Sequence, residues 1–438
     1  MRVWFGGLVW FAASAWMGAA TAQTPTKAEA TMVAAIDKEA PSGQEFLRQL
    51  VEINSGTMNF EGVNAVEALL EPRFKALGFA THTVNMDAVH RAKTLVAEHP
   101  CPRPGACGKR MLLIGHMDTV FDKASPFQHW SVQGDTATGP GTNDMKGGLV
   151  IMLMALDAMQ TAGVLKDTEI TVVLSGDEEN HGEPVSISRK DMVEAAKHSD
   201  LALEFEGLPR LNGVYYGSIS RRSSSSWTVK TTGSTGHSSQ VFSEELGYGA
   251  IYELARILDE FRKALPEKSL TYNTGMVAGG SRVEDGPEAG SLVAFGKTNI
   301  IPAAAQASGD IRSLSDEQTE RTRARMKEIV SHHLPGTSAE ITFQDGYPAM
   351  PPTEASRAIL KTLNGVNATL GVPQMPELDP LLRGAGDISF VAPYLPGLAG
   401  VGATGTGAHA PGETVDLPSQ VLNAKRNALL MYRLSQQK

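Results

Sequence analysis

The chain has 438 residues, with 39 Lys+Arg against 48 Asp+Glu and a formal net charge of -9. This acidic balance argues against a nucleic-acid partner, because phosphate neutralisation needs clustered Lys and Arg. Hydrophobic residues at 42% and charged residues at 20% exclude wholesale disorder, and two cysteines cannot build a disulfide scaffold.

In chain order, the first expected element is a targeting segment. Arg2 supplies a positive charge, Val3 to Met17 an uncharged apolar stretch, and Ala20-Thr-Ala22 a small-residue cleavage pattern before Gln23. Residues 1–22 therefore read as a signal peptide. A membrane anchor is the competing reading, since the uncharged run reaches Thr26. No later stretch approaches the ~20 apolar residues that span a bilayer. The mature chain is thus expected in the periplasm or outside the cell, free of the membrane. Export permits a Cys101–Cys107 disulfide in the Pro/Gly-rich loop from His99 to Gly108, with a metal knuckle using His99 as the alternative.

From Thr31 to Tyr215 helical patterns alternate with short apolar runs. Met111–Ile114, Ile170–Leu174 and Leu201–Phe205 predict strands, and Gly147–Met159, apolar nearly all round, predicts a buried helix. Strands separated by helices imply a mainly parallel sheet covered on both faces, an α/β fold. The texture changes near Ser218. Ser225–Thr232 predicts a strand, Tyr248–Leu265 a helix, and Leu270–Ala278 and Ala303–Ile311 two strands. Asp316–His332 then predicts a helix and Ala339–Gln344 a last strand, the β-α-β-β-α-β order of a ferredoxin-like module. After Pro348 the α/β texture returns. The expected division is a main domain over 23–216 and 346–438, interrupted by an inserted α+β domain over 217–345.

Potential metal ligands gather at the ends of the predicted strands. Gly115-His116-Met-Asp118 follows the first strand, and Gly141-Thr-Asn-Asp144 leads into the apolar helix. Ser175-Gly-Asp177-Glu178-Glu179 and Glu204-Phe-Glu206-Gly207 end the next two strands. In open α/β sheets ligands bind outside the carboxyl ends of strands, so these loops can converge. Singly, each has a plain reading: Asp144 as a helix N-cap, Glu178-Glu179 as a solvated strand end, Glu206 as an edge carboxylate. Together, gathered carboxylates repel one another, and a pair of divalent cations resolves that conflict. Histidine with carboxylate oxygens suits zinc or a similar first-row ion.

These runs resemble the co-catalytic zinc peptidases of family M20, the glutamate carboxypeptidase, aminoacylase and desuccinylase group. The matching residues are Gly115-His-Met-Asp-Thr-Val120, Gly139 to Gly147 and Gly176-Asp-Glu-Glu179. Thr235-Gly-His-Ser238, Asn299-Ile-Ile-Pro302, Asp310-Ile-Arg312, Gly407-Ala-His409 and Val415-Asp416 follow in family order. Within the family the pattern is most similar to the exported carboxypeptidase G2-like branch. The resemblance implies two Zn2+ per subunit, one held by His116 and Glu206, the other by Glu179 and His409, with Asp144 bridging and the Asp144–Met145 peptide cis. It makes Asp118 the residue that orients His116, and Glu178 the general base. His237 would reach a partner subunit's site in a homodimer joined through the inserted domain. Asn299 and Arg312 would contact the substrate carboxylate or carbonyl. Where related carboxypeptidases carry Gly-Gly-Gly-Thr/Ser-Asp, this chain has Arg383-Gly384-Ala385-Gly386-Asp387, whose glycines let backbone approach a ligand. The implied activity is hydrolysis of the amide next to a C-terminal residue with a free carboxylate. A deacylase or desuccinylase of the same family is the nearer alternative, and a metal-free periplasmic solute-binding protein the more distant one.

Overall fold

All six residues of Met111–His116 are buried, as an apolar strand must be to run through the middle of a sheet covered on both sides. In the computed structural model, which describes residues 24–438 except 104 and 289, it is the fourth of six strands. The order is Ala80–Val84, Thr94–His99, Ile170–Ser175, Met111–His116, Leu201–Glu204 and Gly397–Ala399. The last four are mutually parallel, and Thr94–His99 is antiparallel to both its neighbours. The expected signal peptide lies outside the described residues. Among the described residues no helix is long and apolar enough to cross a membrane.

Successive side chains of a strand point to opposite faces, so each face needs its own cover. Leu113, Val172 and Leu203 pack into the core formed by helices Lys27–Val51, Phe60–Ala76, Lys146–Thr161 and Leu417–Ser435. Leu112, Ile114, Val173 and Ala202 face the other way, onto Met192, Ala196, Ile388, Val391 and Leu395. Helix Lys146–Thr161 is apolar all round because helices Lys27–Val51 and Leu417–Ser435 both pack against it. Cys101 and Cys107 are joined in a disulfide.

The second sheet is antiparallel. Thr337–Tyr347, Ser224–Gly233 and Ala304–Arg312 are consecutive neighbours, and Met276–Gly280 pairs with the far side of Ala304–Arg312. Helices Ala250–Ala264 and Asp316–Ser331 cover one face, where Trp227, Val229, Leu254, Ile257, Phe261 and Met326 form a separate core. The β-α-β-β-α-β order read from the sequence is present, with two corrections. The expected Leu270–Ala278 strand is broken into Thr271–Tyr272 and Met276–Gly280. The break lies where the Asn273 carbonyl fills the space that a side chain at Gly309 would need. A hairpin, Arg282–Asp285 with Leu292–Phe295, is added between the second and third strands.

Candidate active site

Parallel pairing sets the site. His116 stands opposite Ser175, and Ile114 opposite Glu204, so three strands end side by side. The residues that follow them, Asp177 to Glu179 and Glu206, leave the sheet at one edge, as the sequence led us to expect. His116 Nε2 lies 2.9 Å from Glu206 Oε1 and 3.2 Å from Asp144 Oδ1. His409 Nε2 lies 3.2 Å from Asp144 Oδ2 and 3.0 Å from Glu179 Oε2. Asp144 therefore stands between two histidine–carboxylate groups, with one oxygen toward each. Glu178 joins a third such group with His116 and Glu179.

Local structure explains how two distant loops meet here. Strand Thr414–Asp416 pairs with Thr136–Thr138, which brings the 407–412 loop beside the turn before helix Lys146–Thr161. Glu413 then accepts the amide protons of Gly141, Asn143 and Asp144 at 3.1, 2.7 and 2.8 Å. The Asp144–Met145 peptide is cis, as the resemblance implied. His409 has φ of 65°, in the left-handed region that non-glycine residues seldom occupy. Buried Asp118 faces His116 Nδ1 at 3.2 Å and accepts the amides of Glu178 and Glu179 at 3.0 and 3.1 Å. Thr57 donates to the same carboxylate at 2.6 Å. Asp118 thus orients the imidazole and the acidic loop at once.

The electrostatics call for positive charge. Burial opposes protonation of His116, but Asp118, Asp144 and Glu206 outweigh it and hold the imidazole well above its ordinary value. Hydrogen bonds to Asp144 and Glu179 raise His409 in the same way. Burial pushes the Glu178 carboxyl well above the usual range, and the Asp387, Glu206 and Glu179 carboxylates push with it against the field of His116. Glu179 is pushed up to about 7, chiefly by burial. Its Oε1 is buried without a hydrogen-bond partner, an arrangement that normally costs free energy. An orphaned carboxylate oxygen among histidine nitrogens and carboxylates fits a first-row divalent cation.

Glu206 faces His116, whereas Glu204 is buried behind it, accepting the Ile388 amide at 2.9 Å and lying 2.9 Å from Arg221 Nη2. Gly384 and Ala385 line a cleft of about 420 Å³ together with Asp144, Glu178, Glu206 and His409. The missing hydroxyl at Gly386 has a physical reason. A Cβ there would collide with the Arg221 guanidinium, which also donates to the Ala385 carbonyl. Arg221 and Glu413 were not singled out as site residues in the sequence: Arg221 stands alone between the motifs, and Glu413 was marked only by its place between the Gly407–His409 and Val415–Asp416 runs.

Three expected residues are not among these groups. His237 and Asn299 are exposed on loops that flank the second sheet and adjoin one another: the Ser238 amide donates to the Asn299 carbonyl at 3.0 Å. Arg312 pairs with Asp310 at 2.8 Å, and its Nη1 comes within 3.6 Å of where a Cβ on Gly384 would stand. It therefore reaches the rim of the cleft.

The model of peptidase family M20/M25/M40 matches residues 112–431, a span that contains every histidine and carboxylate of the cluster. The chain belongs to this family. It is a metallohydrolase of the M20 type, which rules out the solute-binding alternative. It is 29% identical to carboxypeptidase G2 of Pseudomonas sp. (strain RS-16), over 78% of this chain and 76% of that one. Succinyl-diaminopimelate desuccinylase of Gluconobacter oxydans is 24% identical over 80% and 87% of the two chains. Among solved structures, the aminopeptidase PepT of Bacillus cereus superposes with a TM-score of 0.70 at 17% identity, covering 90% of this chain and 98% of that one. An M20 metallo-carboxypeptidase of Sulfolobus solfataricus does so with a TM-score of 0.57 at 17% identity, over 90% and 99%. These two likenesses support the α/β fold with its central, mainly parallel sheet.

Proposed function

We propose that the chain is an exported di-zinc carboxypeptidase that hydrolyses the amide next to a C-terminal amino acid bearing a free carboxylate. One observation carries the reading: Asp144 presents one oxygen to His116 and the other to His409, with Glu178 beside them. In this reading His116, Asp144 and Glu206 hold one ion, and Asp144, Glu179 and His409 the other. When bound, the ions supply Lewis acidity, polarising the carbonyl and making water a stronger acid near neutral pH. Glu178 is the base. Its carboxylate takes a proton as the water oxygen attacks the amide carbon, then returns it to the leaving nitrogen as the C–N bond breaks. Arg312, with its fixed fork of donors, receives the substrate carboxylate at the rim formed by Gly384 and Ala385, while Gly386 is buried against Arg221.

Residues 1–22 direct export and are removed, leaving the enzyme in the periplasm or beyond. Two copies pair through the second sheet, whose Thr337–Tyr347 edge is open among the described residues, and each His237 serves its neighbour's site. The same residues suit an N-acyl-amino-acid deacylase or desuccinylase, a reading favoured by the similarity to the desuccinylase. The test is a hydrolysis screen of N-acyl amino acids, short peptides and folate-like conjugates with zinc supplied. Release of a free C-terminal amino acid from peptide-like amides supports the carboxypeptidase. Turnover confined to simple N-acyl or N-succinyl amino acids contradicts it in favour of the deacylase or desuccinylase.

A further inference from the structure

The proposed base is held at both ends of its peptide unit. Its N–H goes to Asp118, and its carbonyl accepts the Tyr347 hydroxyl at 2.7 Å. Tyr347 does not belong to the parallel sheet. It is the last residue of strand Thr337–Tyr347 in the second sheet, where it stands opposite Ser224, at the junction between the two sheets. The chain re-enters the first core a few residues later, where Met350 bridges Arg221. The tyrosine ring is wedged against His181 and Phe390, with centroids 5.5 and 5.1 Å away.

Behind this contact lies a buried ionic cluster that the chemistry described above does not use. The Arg189 guanidinium, almost wholly enclosed, donates to the Tyr347 oxygen at 3.1 Å. It pairs with Asp177 at 2.6 Å and with Asp387 at 2.7 Å, and also reaches the Asp177 carbonyl at 3.1 Å. The second oxygen of Asp387 accepts the Ser175 hydroxyl at 2.8 Å. Arg189 therefore ties three segments together: the acidic loop from Ser175 to Glu179, the cleft-lining loop that ends at Asp387, and the end of the second sheet. Buried ion pairs are poor sources of net stability, since desolvation offsets most of their attraction. A single hydrogen bond from one sheet to the residue that moves the proton has a sharper use, because small misplacements of a reacting group are costly.

We infer that Tyr347, backed by Arg189, is a positioning residue that sets the Glu178 carboxylate from the junction of the two sheets. The inference rests on Glu178 being the base. The Tyr347 hydroxyl bonds only to the Glu178 carbonyl and Arg189 among the described residues, so it acts through the Glu178 backbone.

The test is Tyr347→Phe in the full-length protein, which removes the hydroxyl and keeps the ring. We expect kcat to fall about tenfold with KM within twofold of wild type. Metal content and melting temperature should stay near wild type, and amide exchange over residues 177–180 should quicken. Phe390→Leu, which disturbs the same ring contact without the hydroxyl, should leave kcat near wild type. In a Glu178→Asp background, whose base is already displaced, Tyr347→Phe should cost several-fold less than in wild type. A wild-type kcat in Tyr347→Phe, an equal loss in both backgrounds, or loss of the fold would each overturn the inference. Full activity in Glu178→Gln would instead overturn the reading of the base, so the two failures are distinguishable.

Discussion

At the edge of the parallel sheet, His116, Asp144, Glu179, Glu206 and His409 each lie within 3.2 Å of another member, every carboxylate against an imidazole. Beside the antiparallel sheet His237 and Asn299 stand exposed on loops, and on its strand Ala304–Arg312, Arg312 pairs with Asp310. The first region satisfies the geometry of a reaction centre within one chain but is short of positive charge. The second offers groups suited to an oxyanion and a carboxylate, presented outward. In the proposed reading, one sheet assembles the chemistry, and the other supplies contacts that a partner or a substrate would complete.

The largest expected effect breaks the first region. Asp144→Ala removes the only carboxylate that faces both imidazoles among the described residues. We expect loss of both ions by elemental analysis, and turnover at background. Retention of one full equivalent of metal would show that Asp144 does not bridge.

The next effect sharpens the contrast. His237→Ala should lower turnover strongly without changing metal content, because the residue is remote from the ligands. Mixed with Glu178→Gln under subunit exchange, it should recover about a quarter of wild-type activity. Half of randomly mixed dimers are hybrid, and each hybrid has one intact site. No recovery after verified exchange would place the action of His237 within its own chain, or nowhere.

The smallest effect concerns how the second region holds itself together. Glu253 is buried on helix Ala250–Ala264, bonded to Arg256 at 2.6 Å and to the Leu334 amide at 2.9 Å. Burial raises its pKa, but these partners outweigh burial and leave it below the ordinary 4.5. The folded state thus binds the proton less readily than the unfolded one. The stabilisation is complete above about 4.5 and is lost as pH falls through the lowered folded value. Glu253→Gln should cost about 1.5–3 kcal/mol at pH 7, read by denaturant unfolding, and should flatten the acid side of the stability profile. An unchanged midpoint would show that the pair contributes nothing net.

Much of the fold was legible because the strands are short apolar runs and the helices obey their period. Of the proposed ligands, His116, Asp144, Glu179 and Glu206 were legible because each follows a strand or opens a helix, where parallel topology gathers such residues, whereas His409 came only from the resemblance. Other features left no periodic trace. The interruption of Leu270–Ala278 depends on a carbonyl seated over Gly309, a contact made across the sheet. The support behind Glu178 comes from Arg189, Tyr347 and Asp387, far apart in the chain and identical in appearance to ordinary surface residues until they are buried together. Gly386 read as a departure from the family pattern, and only the position of Arg221 explains it.

The central claim is that adjacent Glu178 and Glu179 divide the labour, one moving the proton and the other holding an ion. The direct measurement is metal content and turnover of Glu178→Gln and Glu179→Gln, side by side with wild type. We predict that Glu178→Gln keeps two ions per chain and loses about 10²–10⁴-fold in kcat, the range for removing a general base. Glu179→Gln should lose one ion. Loss of metal in Glu178→Gln, with metal and activity both kept in Glu179→Gln, would contradict the assignment.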